Sequence, residues 1–172
     1  MIVCGTGHRP EKVGGYSADA WERLVELASF WVRNGLDKRT DHVISGMALG
    51  WDQALAMAAI KNNIPWSAYV PFAGQEKKWP ESSVTMFHYL LDRAACVVEC
   101  SEPGYAAWKM QHRNKRMVDD SDVVLALWDG SDGGTGNCIR YAKDKGSQIV
   151  NLWPVYELIT NSNAPPNNDK RD

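Results

Sequence analysis

Apolar runs and helical stripes alternate from one end of the chain to the other. Ile2-Val3-Cys4 reads as a first strand. Between Ala20 and Asn34 the apolar residues fall at Trp21, Leu24, Val25, Ala28, Trp31 and Val32. That spacing lines one face of a helix, and Gly35 suits its C-cap. His42-Val43-Ile44 predicts a second short strand, and an alanine-rich helix follows over Asp52 to Asn62. Trp66 to Val70 predicts a third strand, stopped by Pro71. Ser82 to Asp92 predicts a helix, Cys96 to Glu99 a fourth strand, and Lys109 to Asp119 a basic helix. Val123 to Trp128 and Gln148 to Trp153 predict the last two strands, with a helix over Cys138 to Lys145 between them.

An uninterrupted apolar strand such as Val123 to Trp128 implies a sheet covered on both faces. Strand–helix alternation implies right-handed crossovers. The expected fold is α/β: a Rossmann-like, doubly wound, mainly parallel sheet in a single domain over residues 1–158. From Asn161 onward the composition is asparagine, proline and charge, so residues 159–172 are expected to form a disordered tail. In such sheets ligands bind beyond the carboxyl ends of the strands. That rule singles out the loops Gly5 to Pro10, Ser45 to Asp52, Pro71 to Trp79, Ser101 to Tyr105 and Asp129 to Asn137.

Composition narrows the class. At 172 residues, 44% hydrophobic and 23% charged, the chain has the balance of a globular domain. Its formal net charge of -2 argues against a sequence-independent nucleic-acid binder. No apolar stretch is long enough to span a bilayer, and the start lacks the basic and apolar regions of a signal peptide. Cys4, Cys96, Cys100 and Cys138 are dispersed and lack zinc-site spacing. Reduced thiols in the cytoplasm are expected, with no metal and no resident cofactor.

The most informative segment is the strand–turn–helix pattern around Asp129-Gly-Ser-Asp-Gly-Gly-Thr-Gly136. Glycine allows close backbone approach, and a helix N-terminus adds partial positive charge, so Gly133, Gly134, Thr135 and Gly136 suit a phosphate cradle. The first loop adds Gly5, Thr6, Gly7, His8 and Arg9. Arg9 offers a planar fork for phosphate, and His8 a donor or general acid. In the second loop Ser45 and Gly46 suit contact with phosphate or ribose. Asp52 suits either an N-cap or first-turn acid at a helix start or a ribose or base contact. In the third, Gln75 and Trp79 suit orienting and stacking on a base, and Glu76 and Glu81 are candidate acids or bases. On the basic helix, Arg113 and Asn114 are expected to face the site, with Lys115 and Arg116 in solvent.

Five blocks stand in order: GTGHRP at 5–10, SGMALGWD at 45–52, PFAGQEKKW at 71–79, RNKRMVDDSD at 113–122 and GGTG at 133–136. Together they resemble the SLOG superfamily, which takes its name from the DNA-processing protein DprA (Smf) and the LOG nucleosidases. The nearest resemblance is to its YpsA-like branch, common in bacteria and phages. That resemblance implies a Rossmann-like sheet, a nucleotide-related ligand and a homo-oligomer. The nucleosidase branch carries an M-H-x-R-K block, similar to Met110 to Asn114, which carries the arginine over as Arg113. It also carries a P-G-G-x-G-T-x-x-E block, whose glutamate falls at Arg140 here. A carboxylate stabilises a developing oxocarbenium ion and a guanidinium does not.

The expectation is therefore a small cytoplasmic protein (in the host cytoplasm, for a phage-encoded copy) that senses, carries or sequesters a nucleotide or an ADP-ribose-type ligand. The alternative is a nucleoside-5'-monophosphate N-glycosidase using Glu76, Glu81 or Arg113. A third reading is a DprA-like DNA-processing factor; the acidic balance and the lack of a DNA-binding appendage count against it.

Overall fold

Each short run of β-branched and small apolar residues forms a strand, and each stripe of three- and four-residue spacing forms a helix over it. In the computed structural model, which describes residues 1–162, the strands are β1 (Ile2–Gly7), β2 (His42–Ser45), β3 (Trp66–Val70), β4 (Cys96–Glu99), β5 (Val123–Leu127) and β6 (Gln148–Asn151). The helices are α1 (Ala18–Gly35), α2 (Trp51–Lys61), α3 (Glu81–Leu91), α4 (Ala107–Asp119), α5 (Gly134–Asp144) and α6 (Trp153–Ser162). A 3-10 turn covers Pro10–Lys12.

All strand pairs are parallel, in the order β4-β3-β2-β1-β5-β6. The chain runs outward from β1 to β4, then crosses back through α4 to lay β5 against the other side of β1. Alternate strand residues feed two cores. Val3, Val43, Leu125 and Leu127 pack with α1, α2, α3 and Tyr156 of α6. Cys4, Ile44, Val124 and Ala126 pack with Met117 and Val118 of α4 and Ile139 of α5. The reversal of direction between β1 and β5 leaves a crevice at their carboxyl ends, the switch point of a doubly wound sheet. The expected fold class is thus the observed one, and the sheet is wholly parallel. Among the described residues no helix is long and apolar enough to cross a membrane.

The elements depart from their sequence-based bounds in ways that matter for the site. β1 does not stop at Cys4. It continues through Gly7, pairing Gly5, Thr6 and Gly7 with Leu125, Ala126 and Leu127. A Cβ on Gly5 would lie 2.6 Å from Leu55, and one on Gly7 would lie 2.6 Å from Trp51. These glycines let α2 settle directly on the strand, so Gly5 is a packing residue and not a ligand loop. Gly35 is the last residue of α1 and Leu36 is its C-cap, while Ser17 caps the start by accepting from the Ala20 N–H at 3.2 Å. α5 begins at Gly134 rather than Cys138. β6 ends at Asn151, and Trp153 opens α6 instead of closing a strand. α6 runs to Ser162, into the stretch expected to be tail; residues 163–172 of that tail lie outside the described residues.

Candidate functional site

A cavity of about 300 Å³ opens at the switch point. His8 and Arg9 leave the end of β1, Asp52 comes from the first turn of α2, Arg113 and Asn114 from α4, and Thr135 from the first turn of α5. Arg113 and Asn114 face it, while Lys115 and Arg116 are exposed, as the helix spacing predicts. Lys12, Ala48, Met110 and Gln111 also line it. Met110 and Gln111 stand in the block similar to the nucleosidase signature and Ala48 in the second loop, whereas Lys12, in the turn after the first loop, carried no mark in the sequence.

Arg113 is the centre of the cavity wall. Only 5% of it is exposed. Its Nη1 donates to the Gly46 carbonyl and stands 3.6 Å from Asp52 Oδ2, while its buried Nε–H has no partner. Burial pushes the Asp52 carboxyl above its ordinary range, against the pull of the Arg113 charge. Asp52 is the first-turn acid of α2 and not its N-cap: Gly50 holds that place, at φ 92°. A Cβ on Gly50 would sit 2.5 Å from the His8 carbonyl, so glycine meets both the backbone angle and the close approach of the β1 end.

Two second-loop expectations change. Ser45 is fully buried in β2; its hydroxyl donates to the Asp52 carbonyl at 2.6 Å and accepts from the Met47 N–H at 3.2 Å. It shapes the turn and is closed to a ligand. Gly46 makes room for protein instead of ligand, because a Cβ there would lie 2.7 Å from Arg113 Cζ and from Asp52 Oδ2.

The glycine run is a helix start more than a loop. Gly133 is the N-cap of α5, and no side chain caps its first turn. Its first N–H groups are left for another acceptor, which is the arrangement that binds anions. The Thr135 hydroxyl donates to the Gly7 carbonyl at 3.0 Å, tying α5 to β1. Gly136 lies inside the helix, where a Cβ would meet the Ser131 carbonyl at 2.8 Å. Gly134 and Thr135 line the cavity; Gly133 and Gly136 shape the turn.

His8 is buried against Trp153, edge-on at 5.4 Å between ring centroids. Its Nε2 lies 3.0 Å from the Asp129 N–H and 2.7 Å from Asp129 Oδ1. A neutral ring accepts from the first, and a protonated ring donates to the second. Burial outweighs the carboxylate and lowers the His8 pKa, which favours the neutral form. Hydrogen bonds from Ser131, then the Lys12 ammonium, hold Asp129 well below the usual carboxylate range.

A second cavity, about 380 Å³, adjoins the first and shares Arg9 and Met110 with it. Gln75 and Trp79 line this one. Trp79 also packs edge-on against Phe87 at 5.5 Å, part of the core rather than a free stacking surface. Glu76 lies 3.8 Å from His88 and Glu81 is exposed at the start of α3; neither lines either cavity. Arg140 pairs with Asp132 at 3.0 Å on the exposed face of α5, and it is also absent from both linings. Cys138, behind Thr135, has its thiol pushed up to about 11 by burial, so it is not a thiolate nucleophile.

A family model described as the YspA SLOG family matches residues 3–151. The SPbeta prophage-derived protein YoqJ of Bacillus subtilis is 33% identical over 133 residues, covering 67% of this chain and 78% of that protein. A UPF0398 protein of Bacillus velezensis is 21% identical over 165 residues, covering 91% and 90%. DNA processing protein A (DprA) of Streptococcus pneumoniae superposes with TM-score 0.63 at 18% identity over 94% of this chain; the match spans only 56% of that protein. The molybdenum cofactor carrier protein of Chlamydomonas reinhardtii superposes with TM-score 0.57 at 13% identity, covering 94% and 82%. At these identities the solved structures share the fold.

Proposed function

The chain belongs to the YspA SLOG family, and from that premise we propose that it binds a nucleotide by its phosphate at the switch-point cavity. One observation carries this: the buried Arg113 guanidinium, with an unpartnered Nε–H, stands in the same cavity as the uncapped first turn of α5. A buried donor without an acceptor costs free energy unless something fills its place, and a helix N-terminus beside an arginine selects an oxyanion. Arg9 and Lys12 add positive charge at the rim. The protein would sense, carry or sequester its ligand. A protein described as a molybdenum cofactor carrier shares this fold, which supports a binding role. Calorimetry with a nucleotide and its nucleoside tests this; equal affinity for the two would remove the phosphate contact.

The net charge of -2 does not describe the binding edge. Arg9, Lys12, Lys77, Lys78 and Arg113 cluster along the two cavities, so overall acidity is no argument against a polyanionic ligand. A DprA structure from Helicobacter pylori is described as binding single-stranded DNA; for this chain nucleic acid remains an alternative occupant of that edge. A homo-oligomer is part of the same proposal.

A second reading, N-glycoside hydrolysis, is favoured by one feature. Asp52 is the only carboxylate among the residues lining the first cavity, and burial raises its pKa, the direction that a general acid needs. It would take the role that the sequence offered to Glu76 or Glu81. Release of free base from AMP or GMP that is lost in Asp52→Asn would establish it.

A further inference from the structure

Resting on the phosphate reading above, we infer that the second cavity receives a planar group joined to that phosphate. The ligand is then a nucleotide whose phosphate, or pyrophosphate, bridges two organic groups instead of ending the molecule.

Continuity comes first. Arg9 and Met110 line both cavities, so a group leaving the phosphate on the Arg9 side enters the second cavity directly. A terminal phosphate would leave that space empty. The lining comes next. It sets the exposed Tyr105 ring, backed by the buried Phe72, beside Lys77 and Lys78 and contains no carboxylate. That combination suits a flat, electron-rich group carried on an anionic linker.

Tyr105 is the telling residue. It is 76% exposed, yet its loop is fixed. The buried Lys109 ammonium donates to the carbonyls of Glu102 at 2.6 Å, Pro103 at 3.2 Å and Gly104 at 2.7 Å. An ammonium has three donors, and here all of them hold the turn that presents Tyr105. The ring is also steadied edge-on by Phe72, at 6.2 Å between centroids. The clamp thus holds the Tyr105 ring in solvent at the rim of the second cavity. The ring is a stacking surface ordered in advance, which lowers the cost of binding.

Calorimetry should compare ADP and GDP with diadenosine and diguanosine diphosphate on the full chain. The better dinucleotide is expected to bind about tenfold tighter than its mononucleotide, the scale of one stacked base. Tyr105→Ala should reduce that ratio to near one while leaving the mononucleotide affinity unchanged, and Tyr105→Phe should keep it. A wild-type ratio near one, with the mononucleotides binding, overturns this inference alone. An equal loss of both ligands in Tyr105→Ala also overturns it, since Tyr105 would then act on the first cavity. Binding by none of the four overturns both this inference and the phosphate reading.

Discussion

Arg113 and Asp52 lie 3.6 Å apart although their helices cover opposite faces of the sheet. Asp52 opens α2, which packs in one core, and Arg113 sits on α4, which packs in the other. They meet over the carboxyl edge, where no strand separates the layers. The pair therefore joins the two layers and forms the wall of the cavity with one set of atoms.

That double role separates the effects of two substitutions. Arg113→Met should lower stability by about 3–5 kcal/mol in urea denaturation, because it leaves Asp52 buried and uncompensated. Asp52→Asn should cost less, about 1–3 kcal/mol, and should tighten nucleotide binding, because it removes the anion that competes for Arg113. Weaker nucleotide binding by folded Asp52→Asn would mean that Asp52 itself contacts the ligand.

Arg9 lines both cavities, whereas Arg116 is exposed near Asp120 at 3.8 Å and away from them. Arg9→Ala is expected to weaken nucleotide binding by roughly 1.5–3 kcal/mol, the scale of a charge-assisted hydrogen bond. Arg116→Ala should change it far less. Equal effects in calorimetry would point to diffuse attraction between charges.

Gly7 lines the first cavity and also makes room for Trp51, where a Cβ would lie 2.6 Å away. Gly7→Ala should destabilise the fold by about 1–3 kcal/mol through overpacking against Trp51, which is itself anchored by its indole N–H to the Leu125 carbonyl at 3.1 Å. Unchanged stability with lost nucleotide binding would assign Gly7 to the ligand instead of to Trp51.

Stability should fall as the pH drops through about 6.5, the ordinary histidine value. Burial lowers the pKa values of His8 and His42 in the folded chain. Above about pH 6.5 both rings are neutral in either state and the full stability is present. As pH falls through that value the unfolded chain takes up protons first, so stability is lost toward the lower folded pKa. Urea midpoints on either side of that value should show the decline, and His8→Gln should flatten it.

No appreciable free base is expected from AMP, dAMP, CMP or GMP on long incubation. Arg140 stands where the nucleosidase branch carries glutamate, and it points to Asp132 outside the cavity. Chromatography would show any base directly; release abolished by Asp52→Asn would favour the hydrolytic reading, whereas release abolished by Glu76→Gln would assign the acid to a residue remote from the cavity.

Periodicity alone determined the order and type of the first eleven strands and helices, the parallel sheet and the edge at which the cavities open, because burial on one face or two leaves a direct imprint on residue spacing. The facing of Arg113 and Asn114, opposite Lys115 and Arg116, was legible for the same reason. Only the tertiary structure decided what each loop residue does. Gly5, Gly7, Gly46 and Gly136 look alike in sequence, but their neighbours are Leu55, Trp51, Arg113 and Ser131, which arrive from distant elements. Ser45 looked like a free hydroxyl until the turn enclosed it. α6 was hidden because Trp153 continues the apolar run of β6, and only its packing beside His8 and Tyr156 sets it apart. The Lys109 clamp and the Arg113–Asp52 pair likewise depend on contacts across the fold, which no local pattern records.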